Sequence, residues 1–289
     1  MKLKQWFAFI LLGLIWGSSF LWIKIAVQEI SPFLLVAFRL LFGILGLMGV
    51  VFATHPIWPH DRNAWLNLTI LGLTNNALPY VLISWGELYI DSAVAAILNS
   101  TVPLFTMLFA HFLLTDDRIT PYRLLSMLVG FLGVVILVIR DIHGNIQTSI
   151  LGQVAVLLAC VAYAISTIIA RRTTQNIAPA VRAVIPLFGA DILLWTVTPV
   201  VDPHLALPHF LITWIAVIWL GLIGVAVAYI LYFYLLHNVG PTRTTFVTYV
   251  FPLVGVILGV IFLNEKLDWN LAVGAFLIVG SIMFVNRKA

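Results

Sequence analysis

The chain has 289 residues, of which 62% are hydrophobic and 9% charged, with 15 Lys+Arg and 11 Asp+Glu. A soluble domain carries about 25% charged residues, and a fold in water could not cover its surface with so few. A cytosolic enzyme, a secreted disulfide module, a disordered tail and a nucleic-acid reader are excluded; the pI near 9.3 comes from Lys and Arg standing in ones and twos, and Cys160 is the single cysteine.

A helix that crosses about 30 Å of hydrocarbon needs roughly 20 apolar residues. Ten such blocks follow one another along the chain: 6–27, 33–53, 65–89, 92–114, 121–139, 150–170, 180–200, 211–236, 242–263 and 270–286. The connections are short and hold Ser31-Pro32, His55-Pro56, Asp116-Asp117-Arg118, Asp202-Pro203 and Asn264-Glu265-Lys266. No window alternates over ten residues, which disfavours a barrel. The pattern predicts an all-α polytopic membrane protein of ten transmembrane helices. Lys2 and Lys4 precede the first block, but Trp16 and Trp22 lie within it and no small-x-small cleavage site follows, so it is expected to stay as the first span.

Loop charges set the expected orientation. With the N-terminus inside, the inner side holds 11 Lys and Arg residues, among them Arg62, Arg118, Arg123, Arg171, Arg172, Arg182 and Arg243. The outer side holds 3, namely Lys24, Arg140 and Lys266. Both termini are therefore expected in the cytoplasm.

The second half repeats the first at a nearly constant offset. Trp16, Ser19, Lys24 and Pro32 stand 147 residues before Tyr163, Ser166, Arg171 and Pro179; Gly72, Tyr80, Trp85 and Pro103 stand 149 before Gly221, Tyr229, Tyr234 and Pro252. Each unit holds five spans, an odd number, so the second is expected upside down relative to the first. Residues 1–145 and 146–289 are the two expected five-helix units. Inverted repeats place a site near the midplane and permit alternating access, which favours a carrier over a channel.

Trp16-Gly17-Ser18-Ser19-Phe20, Ser31-Pro32 with Phe38-Arg39, Pro103, Pro252, Asp117-Arg118 and Glu265-Lys266-Leu267 together resemble the EamA family of the drug/metabolite transporter superfamily. The similarity runs over essentially the whole chain. It implies ten spans in two five-helix repeats, and a proton-linked or facilitative carrier of the bacterial inner membrane, often an exporter of amino acids or related metabolites. Asp117 stands where the family more often has Glu.

Polar side chains within spans need water, a partner or a ligand. Asp191 lies about 16 Å into its span, at 1.5 Å per residue, and is a candidate proton-coupling group or a neutral acid bonded to a neighbouring helix. Arg39, Lys24 and Glu87 are candidate gate or structural charges; snorkelling at the rim is the plainer account of Lys24 and Glu87. Asn75 and Asn76 precede Pro79, which frees a carbonyl. Asn99 before Pro103, and Thr245, Thr248 and Tyr249 before Pro252, form two polar steps expected to face each other across the repeat axis. Trp16, Ser19, Tyr80, Tyr163 and Tyr229 complete the candidate substrate-binding set, an aromatic lining that suits organic solutes. Gly13-x-x-x-Gly17 and Gly255-x-x-x-Gly259 have close-packing spacing. Spans 5 and 10 carry almost no polar groups, which places them at the periphery or at a homodimer contact.

No His/Cys cluster has metal spacing, and neither a Walker loop nor a Ser/His/Asp set is present, so no enzyme, metal or cofactor is expected. The expected partners are a small-molecule substrate and the lipid bilayer. The expected function is a secondary transporter that exports amino acids or related small organic metabolites by alternating access. An importer or facilitator of a nucleobase, an S-adenosylmethionine-like solute or a sugar, and a channel or scaffold, stand as alternatives.

Overall fold

The computed structural model describes residues 1–114, 119–140, 146–203, 206–240, 244 and 246–286. Thr245 and the loop charges Asp116, Asp117, Arg118 and Arg243 lie outside these, as do His143 and His204. Among the described residues there are helices and no strands. Ten helical rods follow the ten apolar blocks: α1 (Leu3–Ala26), α2 (Pro32–Thr54), α3 (Arg62–Gly86), α4 (Ser92–Leu113), α5 (Pro121–Arg140), α6 (Ile146–Thr173), α7 (Pro179–Val201), α8 (Leu211–Val239), α9 (Phe246–Leu263) and α10 (Trp269–Asn286). Nine are long and apolar enough to cross a membrane, and α10 contributes the shorter apolar stretch Trp269–Ser281.

Local chemistry sets several boundaries. Ser31 accepts the Leu34 N–H at 3.4 Å and Pro32 opens α2, whose end turns left-handed at His55 with φ 42°. Asp61 caps α3 at Asn63 N–H, 3.1 Å. Within α3 the backbone widens into a π-helical turn at Leu73–Ala77, just ahead of Pro79. The repeat-equivalent stretch of α8 also widens, over Trp219–Val227, with no proline to cause it. α4 breaks at Ser100-Thr101, ahead of Pro103.

The helices pair so that the main contacts survive exchange of the two halves. α2 meets α7, α4 meets α9 and α5 meets α10; the α1–α9 pairing recurs as α6–α4, α3–α7 as α8–α2, and α3–α6 as α8–α1. The correspondence reaches single atoms. Trp65 Nε1 donates to Pro59 O and Trp214 Nε1 to Pro208 O, each at 2.9 Å. A Cβ on Gly72 would strike Pro186 O, and one on Gly221 would strike Phe42 Cβ and Arg39 O, where Pro186 and Arg39 are themselves repeat-equivalent.

The glycine spacings seen in the sequence are packing seams. A Cβ built on Gly13 or Gly17 would meet Val250 or Val254 of α9 at 2.8 and 2.7 Å, and Gly255 faces Ala96 of α4. α5 and α10 pack on each other, with Gly133 against Gly274 O. Leu128, Leu132 and Val135 of α5 stay exposed, the surface that a lipid-facing helix requires.

Candidate functional site

Five helices converge on a polar and aromatic cluster in the middle of the bundle. From α2, Arg39 is only 5% exposed and its Cζ lies 3.8 Å from the centroid of the Tyr80 ring of α3. Asn76, one turn before Tyr80, is buried, and its Oδ1 accepts the Tyr229 hydroxyl of α8 at 3.0 Å. The Tyr229 hydroxyl also interacts with that of Tyr80, and Tyr163 of α6 is an electrostatic neighbour of both tyrosines and of Arg39. From α1, Trp16 donates its indole N–H to Gly224 O at 3.1 Å and packs against Tyr232 and Phe251.

Thus the repeat-related pairs Trp16/Tyr163 and Tyr80/Tyr229, distant in sequence, do come together. Tyr80 is buried, while Trp16, Tyr163, Tyr229 and Tyr232 are half-buried although they point inward. Arg39 brings the charge. Among the described residues its Nε has no hydrogen-bond partner, which is costly for a cation removed from water unless a ligand or water supplies the acceptor.

The other singled-out residues fall elsewhere. Ser19 is buried and donates to Ile15 O of its own helix at 3.3 Å. Asn75 is half-buried in the π-helical turn. At the polar step of α4, Ser100 and Thr101 donate to Ile97 O and Leu98 O at 2.6 Å each, so their hydroxyls close the helix break. Asn99 Oδ1 lies 4.0 Å from the Cys160 sulfur of α6. Thr248 and Tyr249 are half-buried at the start of α9, where Tyr249 stacks on Phe246. Asp191 is buried in α7; among the described residues Oδ1 has no partner, and the Trp195 side chain one turn on shares a hydrogen bond with the carboxyl. His111 accepts Ile119 N–H at 3.1 Å and belongs to the end of α4.

At the predicted outer end the charges are built in. Lys24 Nζ donates to Glu87 O and, at 2.8 Å, to Ile90 O, tying α1 to the α3–α4 turn. Glu87, the first residue past α3, is fully buried, so it is no rim charge. Burial pushes its carboxyl well above the usual carboxylate range; Lys24 opposes this, Glu265 adds to it and Arg39 opposes it.

Two contacts were invisible in the sequence. Glu265, after α9, accepts Ser92 N–H at 2.7 Å and Ala93 N–H at 3.0 Å, capping the start of α4. Glu29, after α1, accepts the N–H groups of His209 and Phe210 at the start of α8. Both join the two halves, and their partners lie over 170 residues away in the chain. The only signal for Glu265 was its place in the motif carrying the resemblance. Among the described residues no three His, Cys, Asp or Glu side chains are placed to hold a metal ion.

Comparison with known proteins agrees with this architecture. The model of the EamA-like transporter family matches residues 4–139 and again residues 150–287. The uncharacterized inner membrane transporter YedA of Escherichia coli (strain K12) is 28% identical over 280 residues, covering 95% of this chain and 88% of the relative. An uncharacterized transporter of Archaeoglobus fulgidus is 26% identical over 294 residues, covering 99% of this chain and all of the relative. A protein with a solved crystal structure superposes with a TM-score of 0.71 at 19% identity, covering 100% of this chain and 99% of that one, and shares its fold.

Proposed function

Because the chain belongs to the EamA-like transporter family and is therefore a multi-pass membrane transporter, we propose that it is an inner-membrane secondary carrier that exports amino acids or related small organic metabolites by alternating access. The observation that carries the substrate class is Arg39. Its guanidinium is buried mid-bundle on the face of Tyr80 with Nε unpartnered, beside the Asn76–Tyr229 hydrogen bond. A buried guanidinium with an unpartnered donor suits a carboxylate. The surrounding half-buried rings offer an apolar wall for an organic side chain, and Asn76 supplies an amide.

Alternating access is supported by the exchange symmetry of the helix pairings. Two units of five spans, 1–145 and 146–289, must enter the bilayer in opposite senses, and such units rock on each other about a central site. The positive-inside bias supports cytoplasmic termini. On that orientation Lys24, Glu29, Glu87 and Glu265 all stand at the outer end, where Glu29 and Glu265 bond across the halves and hold that end shut. A closed outer end is compatible with loading from the inside, the first step of export.

The test is reconstitution of the purified protein in liposomes and counterflow of labelled amino acids, nucleobases and sugars. Saturable counterflow with stimulation by unlabelled solute on the far side is expected for carboxylate-bearing amino acids. No saturable flux for any class would sink the carrier reading, whereas flux only of nucleobases or sugars would overturn the substrate class. Flux without stimulation from the far side would indicate a channel, since only a carrier must reorient.

A further inference from the structure

We propose that Glu87 is a proton-binding site that must be loaded before the outer end of the carrier closes. The proposal rests on the carrier reading above and adds a proton-dependent closing step to it. Glu87 is fully buried, and among the described residues neither Oε1 nor Oε2 has a hydrogen-bond partner. Lys24 and the amides at the start of α4 are committed elsewhere. Lys24 directs its ammonium to the carbonyls of Glu87 and Ile90. The Ser92 and Ala93 amides go to Glu265. The hydroxyls of Ser84 and Ser92, both buried, have no hydrogen-bond partner among the described residues, so neither reaches the carboxyl.

The charged groups facing Glu87 are Lys24 from α1, Arg39 from α2 and Glu265 from beyond α9. α6, which packs on α3 where Gly86 and Gly152 meet, brings the neutral Gln153 and no charged residue in its first half. Asp91 follows in the same turn. Two carboxyls therefore stand near each other, Glu87 fully buried and Glu265 half-buried. When two such groups sit together, their surroundings decide which one holds the proton. Glu265 accepts two amide N–H bonds at a helix start, where the peptide dipoles favour an anion. Glu87 accepts none. The charge stays on Glu265 and the proton on Glu87. Asp191, the acid the sequence brings forward, shares a hydrogen bond with Trp195 and lies away from this joint between the halves.

The cycle follows from which contacts cross the halves. Opening the outer end must part Glu265, in the second half, from Ser92 and Ala93, in the first. Water then reaches Glu87, which gives its proton to that water and becomes a carboxylate. On closing, the carboxylate takes one proton from hydronium, leaving water, and is buried as the neutral acid. Each closure takes up one proton, and the energy of leaving a bare carboxylate in the sealed pocket is what enforces it.

The experiment compares the wild-type protein with Glu87→Gln and Asp191→Asn in three measurements. In infrared spectra of the purified protein, the carbonyl band of a protonated carboxylic acid should lose a component in Glu87→Gln at neutral pH. An unchanged band in that variant would overturn the proposal. Thermal stability tests the same point without transport. An acid held neutral in the fold but ionised when unfolded costs stability as pH rises above the ordinary carboxylate range towards its raised folded value. The wild type should lose melting temperature over that range, while Glu87→Gln stays flat and at least as stable, because glutamine matches the neutral acid in shape. A variant less stable than wild type across that range would mean an ionised, paired Glu87. In counterflow with equal pH on both faces, the wild-type rate should change by up to about tenfold per pH unit, the limit for a single proton. Glu87→Gln should abolish that dependence and Asp191→Asn should keep it; the reverse pattern would move the site to Asp191. Failure of wild-type counterflow would count against the carrier reading alone, since the infrared and stability results stand without it.

Discussion

The two halves share a scaffold and differ in chemistry. Contacts that hold helices come in pairs, as with Trp65 on Pro59 O and Trp214 on Pro208 O, or Gly72 against Pro186 and Gly221 against Arg39. The aromatic rings of the site are paired too, but its charged and amide groups come singly. Arg39, Asn76 and Glu87 have Pro186, Val225 and Leu236 at their equivalent positions, and Asp191 has Ile44. Even the shared arginine–aromatic contact diverges. In the first half Arg39 of α2 lies 3.8 Å over Tyr80 of α3, and in the second Arg182 of α7 lies 5.7 Å over Phe233 of α8. The second contact sits one helical turn nearer the start of α7, and there Arg182 also donates to Thr174 O at 3.4 Å. A duplicated unit keeps the contacts both copies need to fold. Only one copy need carry a buried charge such as Arg39.

The largest effect expected from this division is at Arg39. Arg39→Gln removes the buried charge and its donors, and hydrogen bonds to a charged group contribute about 1.5–3 kcal/mol. That is roughly a 10- to 100-fold rise in the half-saturating amino-acid concentration in counterflow. Arg39→Lys keeps the charge but loses the flat stacking on Tyr80, and should fall between. Arg182→Gln, its nearest analogue in the second half, should leave that concentration unchanged. Equal losses at Arg39 and Arg182 would mean that both arginines are scaffold, and the division would fail.

The shared scaffold is tested by Gly72→Ala and Gly221→Ala. Each added methyl would be driven into backbone of the opposite half, and overpacking of this kind costs about 1–3 kcal/mol. Matched drops in melting temperature are expected, and tolerance at one site alone would break the equivalence. Smaller still is Tyr229→Phe. It removes the hydroxyl bonded to Asn76 and leaves a buried amide oxygen unsatisfied, at about 1 kcal/mol. That cost should appear as a small drop in melting temperature, and the half-saturating concentration should rise by at most about fivefold.

The division also explains what the sequence made legible. The ten rods were readable because lipid demands length and apolarity, and their positions hold to within a few residues. α6 was expected at 150–170 and spans Ile146–Thr173, because Gln147, Thr148, Arg171 and Arg172 extend a helix beyond its apolar part. Pro79 hinted at the irregular turn of α3, whereas the matching turn of α8 had no residue to announce it. Glu87 read as a rim charge because it ends an apolar block. Its burial depends on α1, α6 and the Glu265 turn closing over it, and no local pattern records that. Likewise Arg39 was visible as an intramembrane cation, but nothing near it in sequence says that Tyr80 lies beneath.

The smallest effect comes from two glycines on α2, six residues apart. A Cβ on Gly43 would meet Val225 of α8 at 2.7 Å, whereas one on Gly49 would meet nothing within 4 Å. Glycine within a helix costs roughly 0.5–1 kcal/mol relative to alanine. Gly49→Ala should therefore raise the melting temperature slightly, while Gly43→Ala lowers it, although both substitutions add the same methyl to the same helix. The sign change isolates the seam between α2 and α8 from the helix itself. If both alanines stabilise, α8 has room to yield at that seam, and the close approach beside Arg39 holds no tight register for the site.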